Sequence, residues 1–382
     1  MRLRTPYVLA FEESQRGNAV RQVSLGAQTL EGTLSTFTRD RVSGWLFQPT
    51  VGADSILLVR PKTKVDKIPV TYPRVLLATI ADPSAPVLDL TEGRWARHPR
   101  LRSAQHRDKT EEHREVLESW RGAFSYSEED VATGRVGLRP PQIGAIHAVH
   151  SHWSVSDLPA TIVMPTGTGK TEVMLSVMVS ASCSRVLVVV PTDALRAQIG
   201  EKFLTLGLLK HPAARILSDP AHYPFVCLLE HFPTTAEEVD GLFLPCHVVV
   251  TTSAIAGQCV PEVQRAMAAR CTHLFIDEAH HAEARTWSEF RERFRERQIL
   301  QFTATPFRED GKLLDGKIIY VYPLRKAQAE GYFKPIRFLN VVEFDTSRAD
   351  EAIAAKGIEQ LQTDLKDGRD HILMARVGTV PR

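Results

Sequence analysis

A glycine-rich segment, Met164-Pro165-Thr166-Gly167-Thr168-Gly169-Lys170-Thr171, constrains this chain more than any other feature. It follows an apolar run and precedes a segment of helical character. Gly167 and Gly169 lack a Cβ atom, so the backbone can curl and direct successive N–H groups at one anion, and the following helix N-terminus adds partial positive charge. Lys170 can then reach the β- and γ-phosphates of a nucleotide, while the Thr171 hydroxyl can hold Mg²⁺. The segment predicts a phosphate-binding loop, and the alternative is a flexible turn with a surface lysine.

Two adjacent carboxylates, Asp277 and Glu278, end a second apolar run, Leu274–Ile276. Ligands of α/β sheets bind at the carboxyl ends of the strands. One carboxylate can hold Mg²⁺ through water, and the other can orient or deprotonate an attacking water. Alone, such a pair is usually a solvated turn or a helix cap, but together with an upstream phosphate loop it indicates the hydrolytic half of a nucleotide site. The neighbouring His280 and His281 point to different sides of the backbone, so we expect no transition-metal site.

Short β-branched runs alternate with helix-compatible segments from about residue 138 onwards. The runs are 161–164, 186–190, 247–251, 273–276 and 299–303. Such alternation predicts βαβ units around a buried parallel sheet. Thr192 or Asp193 is a candidate cap of the helix that follows the second run. The predicted fold class is therefore α/β, a parallel sheet with flanking helices.

Residues 1–125 are predicted to form a small β-rich accessory domain that ends in a charged connector. Its β-rich runs are 7–11, 45–51, 55–60, 75–80 and 87–90, and turn residues separate them. The connector clusters cations between Arg94 and Lys109, which could attract phosphates or could form a solvated linker. No chemistry can be assigned to this region from its residues.

Composition excludes several classes of protein. The 382 residues allow two or three domains, and 47 Lys and Arg against 45 Asp and Glu give a net charge of +2, which excludes a histone-like polycation. The longest stretch without a charged side chain, 241–261, contains proline, histidine and hydroxyl residues and is not a bilayer span. The apolar run at the N-terminus is too short for a secretory signal, and the five cysteines form no CxxC pair. We therefore expect a cytoplasmic protein.

The joint pattern over residues 138–335 resembles superfamily 2 DEAD/DEAH-type helicases and translocases, in particular the ATPase (Res) subunit of type III restriction enzymes. The phosphate loop resembles motif I, and residues 276–280 (IDEAH) resemble motif II. Gln142 matches the glutamine of the family's adenine-reading element, although Pro141 stands where the family often has an aromatic residue. Residues 302–308 resemble motif III, which couples the nucleotide site to the nucleic-acid surface.

The resemblance implies a role for each of a defined set of side chains. These are, for catalysis, Lys170, Asp277, Glu278 and His280; for nucleotide binding, Gln142, Thr166, Gly167, Thr168, Gly169, Lys170 and Thr171; for the metal, Thr171 and Asp277; for coupling, Thr303 and Thr305; and for nucleic acid, Thr192, Thr251 and Thr252. The residue types alone leave alternatives open. Gln142 could be a surface amide, Thr303 and Thr305 could be ordinary strand residues, and the other threonines could cap helices instead of contacting phosphates.

The resemblance also implies a RecA-like P-loop NTPase domain over residues 126–330, with ATP and Mg²⁺ as cofactors and nucleic acid, DNA in preference to RNA, as partner. Residues 331–382 would be a linker and the beginning of an incomplete second RecA-like domain, with strands at 336–342 and 371–377. The arginine-bearing motif of that domain does not occur in the sequence. We therefore expect a truncation, a split-gene half or a fragment that needs a second domain or partner subunit.

Two functions stay open at this point. The first is the ATPase part of an ATP-dependent DNA or RNA helicase or translocase, with weak or no turnover as an isolated chain. The alternative is a truncated or degenerate nucleotide-binding module without independent turnover.

Overall fold

The computed structural model of the chain describes residues 1–6, 9–13, 19–24, 29–39, 42–50, 55–64, 68, 70–98, 109–211, 213–218, 220–279, 285–305, 315–333, 339–345 and 348–374. The strands are β1 (Arg2–Arg4), β2 (Leu9–Glu13), β3 (Ala19–Ser24), β4 (Thr29–Arg39), β5 (Val42–Pro49), β6 (Ile56–Val59), β7 (Arg74–Leu77), β8 (Val87–Asp89), β9 (Arg94–Arg97), β10 (Ala160–Val163), β11 (Val186–Val190), β12 (Phe225–Leu229), β13 (Val248–Thr252), β14 (His273–Ile276), β15 (Gln298–Thr303) and β16 (Lys317–Val321). The helices are α1 (Lys109–Trp120), α2 (Pro140–Trp153), α3 (Lys170–Ser180), α4 (Asp193–Thr205), α5 (Ala236–Phe243), α6 (Ser253–Gln258), α7 (Pro261–Arg270), α8 (Arg285–Glu292), α9 (Leu324–Ala329) and α10 (Ala349–Lys366).

The larger sheet carries both candidate motifs. Its strand order is β16-β10-β15-β14-β11-β13-β12-β3-β2. The strands from β16 to β12 run parallel to one another, and the β2–β3 hairpin extends them by antiparallel pairing with β12. Every residue of β10, β11 and β13 is buried, as expected for parallel strands covered on both faces. The predicted α/β class, a parallel sheet with flanking helices, is confirmed.

Helices α5 to α8 cover one face of this sheet. Phe243, Met267 and Phe290 pack in one apolar cluster with the strand residues Val189 and Ile276. Helices α2, α3 and α4 form a second layer, in which α2 packs beside α3 and α4 lies against β11, β12 and β13. The phosphate loop and the acidic pair follow β10 and β14, two strands that β15 separates.

The smaller sheet is mixed and has the order β8-β1-β4-β5-β6-β7-β9. An apolar cluster that includes Leu3, Phe47 and Leu58 packs on it, and a second cluster includes Phe37 and Val75. The predicted β-rich part before the parallel sheet is therefore present. The β2–β3 hairpin, although it belongs to the same part of the sequence, pairs with the larger sheet.

The chain divides into two compact units, Met1–Tyr332 and Phe333–Arg382. In the second unit, the strands expected at 336–342 and 371–377 are not found where the structure describes these segments: 339–342 and 371–374 are irregular, and α10 is the regular element. An apolar run becomes a strand only when a neighbour completes its hydrogen-bond ladder, and no partner strand lies among the described residues of this unit. None of the described helices is both long and apolar enough to cross a membrane.

Candidate nucleotide-binding site

The phosphate loop lies between β10 and α3, so the strand and the helix predicted on either side of it are present. The Met164 N–H donates to the Thr303 carbonyl (2.9 Å), which extends the pairing of β10 with β15 to the start of the loop. Gly167 and Gly169 have φ angles of 83° and 92°, a region that favours glycine. The Thr168 hydroxyl donates to the Pro165 carbonyl (2.6 Å) and closes the turn.

Gln142 lies directly against this loop. The side chain is only 3% exposed, which contradicts the alternative of a surface amide. Its Oε1 accepts from the Arg139 backbone N–H (2.8 Å), and its Nε2 donates to the Thr168 carbonyl (3.4 Å). A Cβ atom on Gly169 would lie 1.8 Å from this Nε2, so the close contact requires glycine. Gln142 therefore braces the loop, and its contact with a base stays a prediction.

The acidic pair meets the loop through an ion pair. Lys170 Nζ donates to Glu278 Oε1 at 2.7 Å, and the two side chains are 7% and 16% exposed. Glu278 has a φ of 48°, a left-handed conformation that costs a non-glycine residue about 1–3 kcal/mol. Such strain is characteristic of functional sites, because neighbouring contacts must hold the residue in place. The two motifs, 108 residues apart in sequence, thus form one site.

Asp277 contributes a buried carboxylate oxygen to the site. Its backbone N–H donates to the Val189 carbonyl (2.9 Å), whereas its Oδ1 is buried and has no hydrogen-bond partner among the described residues. Burial raises the pKa of Asp277 to about 6; the Glu278 charge adds to this rise, and Lys170 opposes it. A buried carboxylate oxygen without a donor suits a hard cation, since Mg²⁺ prefers oxygen ligands. Asp277 therefore fits a magnesium ion, and the metal-binding role of Thr171, at the start of α3, stays a prediction.

Thr303 and Thr305 form a tight turn at the end of β15. The Thr303 hydroxyl is fully buried, donates to the Thr305 carbonyl (2.6 Å) and accepts from the Thr305 N–H (3.2 Å). This turn adjoins the phosphate loop through the Met164–Thr303 hydrogen bond. Coupling by these threonines stays a prediction. His280 of motif II lies outside the described residues. So do residues 306–308 of motif III and residues 99–108 of the charged connector.

The three threonines assigned to nucleic acid have different environments. Thr192 caps α4 by accepting from the Leu195 N–H, and Thr252 caps α6 by accepting from the Ile255 N–H, each at 3.3 Å. Thr251 is fully buried, and its hydroxyl has no hydrogen-bond partner within the described segments. For Thr192 and Thr252, the capping alternative is present in the structure, while their contact with nucleic acid stays a prediction.

A cleft of about 760 Å³ opens beside the phosphate loop. Its lining includes Gly167, Gly169 and Gln142, and also residues that sequence reasoning did not find: Glu129, Arg135, Arg139, Glu172, Lys202 and His211. The volume is in the range of small-molecule sites, about 300–1,000 Å³. The turn from 127 to 138 has no motif to mark it, and only its position just before the Gln142 element could have drawn attention to it.

Comparison with known proteins finds one similar family. The family model described as "Type III restriction enzyme, res subunit" matches residues 135–308. No curated protein sequence matches the chain.

Three solved structures are similar at low identity. The Hef helicase domain of Pyrococcus furiosus is 21% identical, with 58% of this chain and 47% of that chain covered and a TM-score of 0.33. A nuclease-deletion mutant of the Type ISP restriction-modification enzyme LlaGI is 16% identical, with coverages of 60% and 22% and a TM-score of 0.33. The UvsW helicase of bacteriophage T4 is 17% identical, with coverages of 54% and 67% and a TM-score of 0.32. The chain thus spans about a fifth of the length of LlaGI and about half of that of Hef. Residues 135–308 are therefore similar to the res subunit of type III restriction enzymes.

Proposed function

We propose that this chain binds Mg²⁺-ATP between the phosphate loop and the acidic pair and hydrolyses it when a nucleic acid is bound, as the ATPase part of a helicase or translocase. The observation that carries the proposal is the Lys170–Glu278 contact at 2.7 Å, next to the buried Oδ1 of Asp277, which has no partner in the part of the chain that the structure describes. This arrangement supports the proposal, because phosphoryl transfer needs a cation for the phosphates, a base for the attacking water and an oxygen ligand for the metal.

The side chains then have distinct tasks. Lys170 leaves Glu278 for the β- and γ-phosphates of the incoming nucleotide. Glu278, released from the lysine, orients the attacking water and accepts its proton. Asp277 and Thr171 hold the magnesium ion, which when bound neutralises charge on the phosphates. Gln142 and the cleft beside it receive the base, and Thr303 and Thr305 connect the site to the nucleic-acid surface.

We also propose a nucleic-acid partner, a second domain and a cellular compartment for the chain. The family name of the matching model is that of a restriction enzyme, which favours DNA as the nucleic acid. Contacts with its backbone would come from Thr192, Thr251 and Thr252. We further propose that residues 126–330 are the ATP-binding domain and that a second RecA-like domain, in this chain or a partner, completes the catalytic cleft. The five cysteines are free and buried, which supports a reducing, cytoplasmic environment.

ATP turnover by the purified chain, with and without single- or double-stranded nucleic acid, tests the proposal. We expect nucleic acid to stimulate turnover, Glu278→Gln to abolish it and Lys170→Ala to remove most nucleotide affinity. Glu237→Gln and Lys62→Ala change exposed residues of the same types and should leave both unchanged. Nucleotide binding without turnover would support the module without independent activity, and unaltered binding by Lys170→Ala would contradict the site itself.

A further inference from the structure

The segment that follows β16 lies near the phosphate loop. β16 pairs with β10, the strand that leads into the loop. Helix α9 follows, and Gly331, with a φ of 79°, reverses the chain at its end. The Tyr332 N–H then donates to the Ala327 carbonyl (2.9 Å), so the position of Tyr332 is set by the helix before it.

The Tyr332 side chain holds two residues that line the cleft. Its hydroxyl donates to Glu129 Oε1 (3.0 Å), and its ring lies against the Arg139 guanidinium, 4.9 Å from the ring centroid. The other oxygen of Glu129 is 3.7 Å from Arg139 Nε. Burial and then the Glu129 carboxylate raise the pKa of Tyr332 to about 12, so the hydroxyl remains a donor at neutral pH. Ring and carboxylate therefore restrain the same guanidinium.

Arg139 passes this restraint to the phosphate loop. Its Nη1 donates to the Gly167 carbonyl (3.3 Å), while Gln142, three residues later, donates to the Thr168 carbonyl. Two successive carbonyls of the phosphate loop thus accept hydrogen bonds from side chains at the start of α2. The Gly167 backbone has a left-handed φ of 83°, a conformation that glycine leaves easily because nothing but its contacts fixes it.

We infer that Tyr332 is a positioning residue of the nucleotide site: it keeps Arg139 on the Gly167 carbonyl and so keeps the phosphate loop in its binding conformation. The inference rests on the proposed nucleotide binding. If Tyr332 has this role, nucleotide affinity depends on the segment that follows β16 as well as on the phosphate loop and the acidic pair.

A merely structural role for Tyr332 can be separated from this one. Tyr322 anchors the same segment, because its hydroxyl donates to Glu330 (2.6 Å), and no contact between it and Arg139 is seen in the described part of the chain. Tyr322→Phe is therefore the matched control: it removes a phenolic hydrogen bond from the segment and spares the guanidinium.

The experiment measures the affinity of the full chain for a fluorescent ADP with Mg²⁺, with the folded fraction of each variant taken from thermal melts. We expect Tyr332→Ala to weaken binding about tenfold through loss of the cation–π contact. Tyr332→Phe, which keeps the ring, should stay within about threefold of the wild type. Tyr332→Leu, which keeps bulk without a π face, should behave like Tyr332→Ala and serves if the alanine variant does not fold. Where turnover is measurable, KM should rise while kcat is unchanged.

A double-mutant cycle with Arg139→Ala completes the test. We expect Tyr332→Ala to add no further loss in the Arg139→Ala background, because the tyrosine acts through the arginine. Wild-type affinity in a folded Tyr332→Ala or Tyr332→Leu variant, or losses that simply add in the double mutant, would overturn the inference while leaving the proposed function intact. Failure of the wild-type chain to bind ADP at all would overturn both.

Discussion

Asp277 should destabilise the nucleotide-free protein, and Asp277→Asn should therefore raise its melting temperature. The carboxylate lies directly after β14, and its buried Oδ1 receives no hydrogen bond from the residues that the structure describes. Lys170, the cation that opposes its pKa rise, is already engaged by Glu278 at 2.7 Å. Burying a charge without enough compensating contacts costs free energy, and an asparagine of similar shape carries no charge to bury.

The size of the effect follows from the pKa of Asp277. Burial raises it from 3.8 to about 6, and this difference corresponds to about 3 kcal/mol. Because the folded pKa is the higher one, the penalty is fully present above about pH 6, falls to about half at pH 5 and disappears below the unfolded pKa. For a chain of 382 residues, about 3 kcal/mol corresponds to a rise of about 4 °C in the melting temperature.

Differential scanning calorimetry without nucleotide or Mg²⁺ tests this at about pH 8 and pH 5. Asp277→Asn should melt higher than the wild type at the higher pH, with a smaller difference at the lower one, and should lose Mg²⁺-dependent ATP turnover. Asp193→Asn is the matched control, because Asp193 is an exposed carboxylate that pairs with Arg196 and should contribute at most about 1 kcal/mol. A lower melting temperature for Asp277→Asn at pH 8 would show that the carboxylate is paired in solution and would refute the reasoning.

Three other changes probe separate parts of the structure. Gly169→Ala places a Cβ atom 1.8 Å from Gln142 Nε2 and should weaken nucleotide binding more than tenfold in a titration, whereas Gly241→Ala, in open space on α5, should not. Arg185 donates to the carbonyls of Leu244, Cys246 and Arg270, so Arg185→Ala should lower the free energy of unfolding by about 3 kcal/mol in urea, and Arg185→Lys should recover only part of it. Thr192→Ala should cost about 1 kcal/mol, and Thr192→Ser much less, if the hydroxyl matters as a helix cap. A loss of nucleic-acid affinity with unchanged stability would instead favour the phosphate contact.

The central strands could be predicted from the sequence because burial on both faces leaves them as continuous apolar runs. β11 and β14 begin and end where the sequence predicts them, at 186–190 and 273–276. β12 and β16 were not predicted. β16 lies at the edge of the sheet and is largely exposed, so its residues need not be continuously apolar. Pairing with β10, which local sequence does not encode, makes it a strand.

The meeting of the two motifs could also be predicted, since parallel strands bring their carboxyl ends to one edge. The finer geometry could not. The left-handed φ of Glu278 and the bracing of the loop by Gln142 depend on packing between segments distant in sequence. Arg139 and Tyr332 are 193 residues apart, and no sequence motif links the two residues. The role of a threonine at a strand end could not be predicted either, because its hydroxyl can accept from a helix N–H group or donate to a phosphate.

The Lys170–Glu278 ion pair has a consequence for the order of events in the proposed reaction. While Glu278 accepts from Lys170, this oxygen is not available to take a proton from water, and the lysine charge is neutralised. A triphosphate offers the lysine a stronger partner, because it carries several charges where Glu278 carries one. Entry of the nucleotide therefore removes the lysine and frees the base in the same step. In the proposed reaction, Glu278 is therefore released from the lysine only when a phosphate is bound.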